Sequence, residues 1–131
     1  MPRMSKSEAP DQLTLEGYEG AFGELGPEYT VGFERYTADA DLSPMFEGLP
    51  DDRCQCPHWG VVISGKIVFR YADHDETYVA GDAYYGAPGH LPLLFADTEL
   101  IEFSPTAALN ETMQVIDANL TAVKSGMSAP G

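Results

Sequence analysis

Residues 58 to 103, HWGVVISGKIVFRYADHDETYVAGDAYYGAPGHLPLLFADTELIEF, are a series of short runs rich in Val, Ile, Tyr and Phe. Turn residues cut the series about every eight to twelve positions, the spacing of an all-β chain. HWGVVISG ends in a Ser64-Gly65 turn, KIVFRYAD alternates and ends at Asp73-His74-Asp75, and ETYVAGD turns at Gly81-Asp82. AYYGA then meets Pro88-Gly89, LPLLFAD ends in a polar turn, and TELIEF closes the series before Ser104-Pro105. An antiparallel meander of this length has to cover its edges, and rolling into a barrel or sandwich does so.

Working outward, LTLEGYEGAF (13–22) and EYTVGFERYT (28–37) also read as strands. In the second, Tyr29, Val31 and Phe33 share an apolar face and Thr30, Gly32 and Glu34 take the other. Arg35 then falls on the apolar face and Tyr36 on the polar one, so the strand is expected to end or twist out of the core near Glu34. Ser43-Pro44 signals one short helical turn. Ser104-Pro105 repeats that signal ahead of Leu109, Met113, Ile116, Leu120 and Val123, a helical stripe expected to dock on the barrel exterior or on a partner subunit. Residues 1 to 11 and 125 to 131 have no periodicity and read as mobile tails, leaving 12 to 124 as one barrel domain with a C-terminal α-helix.

The 131 residues carry 21 Asp and Glu against 7 Lys and Arg, a net charge of −14. Such a chain repels phosphate backbones and anionic lipid, which excludes nucleic acid and membrane surfaces as partners. No apolar run approaches the roughly 18 residues of a bilayer span, and the N-terminus lacks the apolar stretch of a secretory signal, so the chain reads as cytoplasmic. Its only cysteines, Cys54 and Cys56, are separated by one residue. A bridge there would be strained and close a negligible loop, so they read as thiols.

The chemistry-bearing cluster is Cys54-Gln55-Cys56-Pro57-His58-Trp59. Cys54, Cys56 and His58 share strand parity, yet a straight strand would hold Cys54 and His58 about 13 Å apart, at about 3.3 Å per residue. Both reach one ion only if the chain bends, and Pro57 is the place for it. Two thiols with His58 and, from the loop ahead of LPLL, His90 suit zinc first and iron(II) second, and do not suit magnesium or calcium. The alternative is that both cysteines are small apolar residues lining the interior and that His58 is a hydrogen-bonded neutral imidazole. His74, between two aspartates, reads as an exposed turn. Of Tyr84 and Tyr85, one enters the barrel and one packs outside. Glu102 lies either on a solvated face or inside near the histidines, where burial would raise its pKa and fit it for proton transfer. Trp59, opposite in parity to His58, belongs to the exterior or an interface.

These positions resemble the two motifs of the cupin superfamily, Gly-x5-His-x-His-x3/4-Glu-x6-Gly and Gly-x5-Pro-x-Gly-x2-His-x3-Asn. Gly65 fits the closing glycine of the first motif. His58 then stands where the family has its Glu, Cys54 and Asp52 where it has its two His, and Phe46 where it has its first Gly. Gly81 opens the second motif and Gly89 fits its later glycine. Ala87 stands for Pro, with Pro88 one place late, Pro92 for His and Ala96 for Asn. The resemblance spans roughly residues 46 to 103 and implies a small antiparallel β-barrel of the double-stranded β-helix or jelly-roll type, with the ligand set replaced by Cys54, Cys56, His58 and His90.

Three functions follow. The first is a metal-dependent enzyme on a small organic molecule, of lyase, isomerase, cyclase or dioxygenase type, with His58, His90, Tyr84 and Glu102 as catalytic candidates. The second is a non-catalytic module binding a ligand or a closed zinc site. The third is a metal-free acid–base enzyme using His58 and His90. The terminal helix and exposed strand edges point to a homodimer.

Overall fold

The computed structural model describes residues 3 to 124. The segment 125 to 131, expected to be a tail, lies outside the described residues, as do Met1 and Pro2 and the side chain of Val123 in the helical stripe. Among the described residues ten strands and one α-helix follow in order: β1 (Asp11–Leu15), β2 (Tyr18–Glu24), β3 (Tyr29–Tyr36), β4 (Ala40–Asp41), β5 (His58–Ser64), β6 (Lys66–Arg70), β7 (Asp75–Val79), β8 (Ala83–Gly86), β9 (Leu91–Leu94), β10 (Thr98–Pro105) and α1 (Thr106–Lys124), with two short 3₁₀ turns, Ser43–Phe46 and Pro50–Asp52, between β4 and β5. They form two antiparallel sheets, β1-β2-β3-β10-β5-β8 and β4-β9-β6-β7. The expected all-β architecture with a C-terminal α-helix is present.

The turns sit where their residues require them. Gly65, at φ +76°, joins β5 to β6, and a Cβ there would strike the Thr98 side chain and lie 2.7 Å from its Cα. Thr98 is fully buried, its hydroxyl accepting from Lys66 N and donating to Lys66 O. Only glycine satisfies both the backbone angle and this approach.

The apolar core lies between the sheets, where Tyr36, Val62, Tyr84 and Leu100 of the first meet Ile67, Phe69 and Leu94 of the second. A second cluster, Phe46, Cys54 and Cys56, is capped by Ala108, Leu109 and Ile116 of α1. The helix therefore docks across the segment preceding β5, and Asn119 clamps it there by donating to Met45 O (2.7 Å) and Glu47 O (3.1 Å).

Three local expectations are corrected. LTLEGYEGAF is not one strand but a hairpin, because Gly17 adopts φ +80° between β1 and β2. Strand β10 runs on through Ser104 and Pro105, since pairing with β3 continues to Tyr29, and the helix starts one residue later than the proline signal implies. The most consequential correction concerns β3, which does not leave the core at Glu34. Register places Tyr36 beside Tyr18 and Thr98, and Glu34 beside Gly20 and Leu100, so the polar parity faces inward and Tyr29, Val31 and Phe33 face outward. Residues of the N-terminal segment cover part of that outer face: Ala9 is buried, and a Cβ on Gly23 would meet Met4 and Pro10.

Candidate functional site

The stretch between the bridge at Cys54 and the start of β5 at His58, outside regular strand, carries the site. Cys54 pairs with His90 across an isolated bridge, Cys54 N donating to His90 O at 2.9 Å and Gly89 N to Cys54 O at 2.8 Å. His58 opens β5, and its Nε2 lies 3.7 Å from Cys54 Sγ. Cys54, His58 and His90, all buried, bring one ligand atom each to within 4.8 Å of one another. Cys56, also buried, turns its thiol to Pro57 O at 3.4 Å and stands apart from this trio. His74 is exposed between Asp73 (2.7 Å) and Glu76 (2.8 Å); it stacks on Tyr71, whose other neighbour is the His90 ring, and is not itself one of the three converging ligands.

Both site imidazoles are held from behind. His90 Nδ1–H donates to Ala87 O at 2.6 Å, which leaves its Nε2 lone pair bare. His58 Nδ1 lies 2.7 Å from Ser104 Oγ and 3.5 Å from Glu102 Oε1. Nδ1 thus faces Ser104 and Glu102, and Nε2 faces the Cys54 thiol. Burial pushes both histidines down to about 4, with the His58 ring a further cause for His90, so both are neutral at pH 7. Burial also pushes the thiols up, Cys54 to about 11 and Cys56 to about 12. The donor set of two neutral imidazoles and one thiol, each imidazole oriented through its other nitrogen, fits a divalent transition-metal ion.

Behind the trio is a polar interior that the sequence only half revealed. Tyr84 is the tyrosine that points inward and Tyr85 the one that points out, at 6% and 49% exposure. The Tyr84 hydroxyl donates to Glu102 Oε2, so Glu102 takes the interior alternative, and burial raises its pKa to about 7. Glu34 stands diagonally beside it on β3, accepting from Tyr18 Oη at 2.6 Å and from Tyr36. Burial first and the Glu102 charge second push Glu34 up to about 8. Glu34 was not among the sequence candidates. The signal for it was Gly20 and Gly32, strand glycines of the same parity, which mark a close approach of side chains. The site is not sealed, since the His58 and Glu102 side chains keep 10% and 12% of their surface exposed.

No family model and no curated protein matches the sequence. Solved structures do. An RmlC-like cupin from Shewanella frigidimarina aligns at a TM-score of 0.54 with 10% identity, over 78% of this chain and 87% of that one. The chain has the cupin fold. This cupin fold is shared with a Rhizobium leguminosarum protein of unknown function (TM-score 0.56, 16% identity, 80% and 95% of the two chains). It is also shared with Pac13 from Streptomyces, described as a nucleoside dehydratase (0.55, 15%, 79% and 80%). At these identities the likeness is one of fold.

Proposed function

We propose that this cupin-fold chain is a small-molecule enzyme of lyase type in which Cys54, His58 and His90 hold a divalent metal, zinc ahead of iron(II). The observation that carries the reading is the convergence of three buried ligand atoms within 4.8 Å, with both imidazoles already oriented by Ala87 O and by Ser104 and Glu102. Three protein ligands leave the fourth tetrahedral place free, as catalytic zinc sites do. When bound, the ion supplies a Lewis acid that polarises a substrate oxygen. Glu102 and Tyr84 supply the rest: a carboxyl poised near neutrality, bonded to a phenol, accepts and returns a proton beside the His58 ring. Among lyase, isomerase, cyclase and dioxygenase chemistry, elimination of water suits this acid–base pair, and the fold neighbour described as a nucleoside dehydratase supports it. A thiolate ligand is itself oxidisable, which argues against oxygen chemistry.

The test is metal analysis of the purified full chain alongside Cys54→Ser and His90→Ala. One equivalent of metal in the wild type, lost in both variants while the fold survives, supports an open catalytic site. A melting temperature that collapses with metal removal supports the closed structural zinc module instead. A second reading, metal-free acid–base catalysis, draws on the Glu34–Glu102 pair, and an activity untouched by chelation would favour it.

A further inference from the structure

The face that α1 turns to the cysteines is centred on polar residues. Ala108, Leu109, Thr112, Ile116 and Asn119 recur at three- and four-residue steps, and the apolar members pack on the cluster of Phe46, Cys54 and Cys56. Among the described residues of the helix the two buried side chains are Thr112 and Asn119, exposed 4% and 7%. Packing alone favours apolar residues at both places, so the hydroxyl and the amide each need a partner there. Asn119 has Met45 O and Glu47 O. The partner of the Thr112 hydroxyl is the Cys54 sulfur.

We propose that Thr112 is a positioning residue for the metal centre, its hydroxyl donating to the Cys54 thiolate and so fixing where the sulfur points and how strongly it holds the ion. The inference rests on the reading of Cys54, His58 and His90 as ligands and extends it to the helix. His90 is oriented through Ala87 O, and His58 through Ser104 and Glu102. Thr112 gives Cys54 the corresponding support. The groups around the sulfur are Cys56 O at 3.8 Å, His58 Nε2 at 3.7 Å and the Thr112 hydroxyl. A thiol can donate to the carbonyl, but a metal ligand is a thiolate, which only accepts. The carbonyl then offers nothing, and the His58 nitrogen is taken by the same ion. A hydroxyl both donates and accepts, so Thr112 alone of the three serves the sulfur in either state. The donor matters more because the thiolate is buried in an interior that also holds Glu34 and Glu102. A hydrogen bond to an ionised acceptor is roughly twice as strong as one between neutral groups. The helix is therefore part of the site as well as its cover.

Thiolate-to-metal charge transfer in the Co²⁺-loaded full chain reports on this bond directly, because a hydrogen bond lowers the energy of the sulfur electrons that the band promotes. Thr112→Val keeps the shape of the side chain and removes the donor. Its band is expected at longer wavelength than that of the wild type, with Co²⁺ affinity down about 10–100-fold in competition with a chelator. Thr112→Ser is expected to restore both, and Thr112→Ala takes the place of Thr112→Val if that variant fails to fold. Asn119→Ala loosens the same helix without touching the sulfur and is expected to leave the band where it is. A band that Thr112→Val does not move, that Thr112→Ser does not restore, or that Asn119→Ala moves as far, overturns the inference while the ligand trio stands. A wild type with no thiolate band overturns the ligand reading and the inference with it.

Discussion

Glu102 stands behind His58: its Oε1 lies 3.5 Å from Nδ1 of a ring whose Nε2 is 3.7 Å from the Cys54 thiol. A carboxylate in that position fixes the ring's tautomer and raises its basicity as a ligand. Glu102→Gln keeps the shape and removes the charge. Metal affinity is expected to fall about 10–100-fold, read by competition with a chelator, while the fold is retained. An unchanged affinity would detach Glu102 from the metal site and leave it a purely structural partner of Tyr84.

The inward carboxylates also set how stability depends on pH. Burial and the Glu102 charge push Glu34 up to about 8, against 4.5 for an ordinary glutamate. Between those values the folded chain holds a proton that the unfolded chain has released. The contribution is thus complete below about pH 4.5 and is lost as pH rises through about 8. The wild-type Tm is expected to drop by about 5 °C between pH 6.5 and 8.5, and Glu34→Gln to flatten that decline. Identical slopes for the two proteins in differential scanning calorimetry would show that Glu34 is ionised in the folded state.

Asn119 ties α1 to the loop over the cysteines with two bonds to carbonyls and is itself 7% exposed. Removing its amide leaves Met45 O and Glu47 O without that donor. Asn119→Ala is expected to cost about 1–3 kcal/mol in urea unfolding. It is also expected to speed thiol modification of Cys54 and Cys56, which sit under the same cap. A loss below about 0.5 kcal/mol, the range of ordinary surface changes, would show that the clamp is not structural.

How far the sequence disclosed this molecule depends on which residues are asked. Turn chemistry is local, so Gly65 and Gly81 announced the strand order and the resemblance to cupins. The need for the chain to turn between Cys54 and His58 was legible too, because a straight strand cannot bring the two together. His90 was a candidate from the sequence, but its backbone pairing with Cys54 was not legible, because it spans a long stretch of chain and no local spacing encodes it. Glu34 was misread for a physical reason: in β3 the outward face is the more apolar one, so alternation pointed to the wrong side. A fold that keeps Glu34 and Glu102 inside while Tyr29, Trp59 and Phe103 stay exposed outside reverses the usual rule, and Tyr29, Val31 and Phe33 followed that rule only in appearance.

Titration of the apo protein with Co²⁺, followed in the near-ultraviolet and visible, addresses the metal centre most directly. The account predicts one equivalent of tetrahedral cobalt with a thiolate charge-transfer band that disappears in Cys54→Ser, persists in Cys56→Ser, and loses its tetrahedral d–d pattern in His90→Ala. No band, or a band that Cys56→Ser abolishes and Cys54→Ser spares, would contradict it.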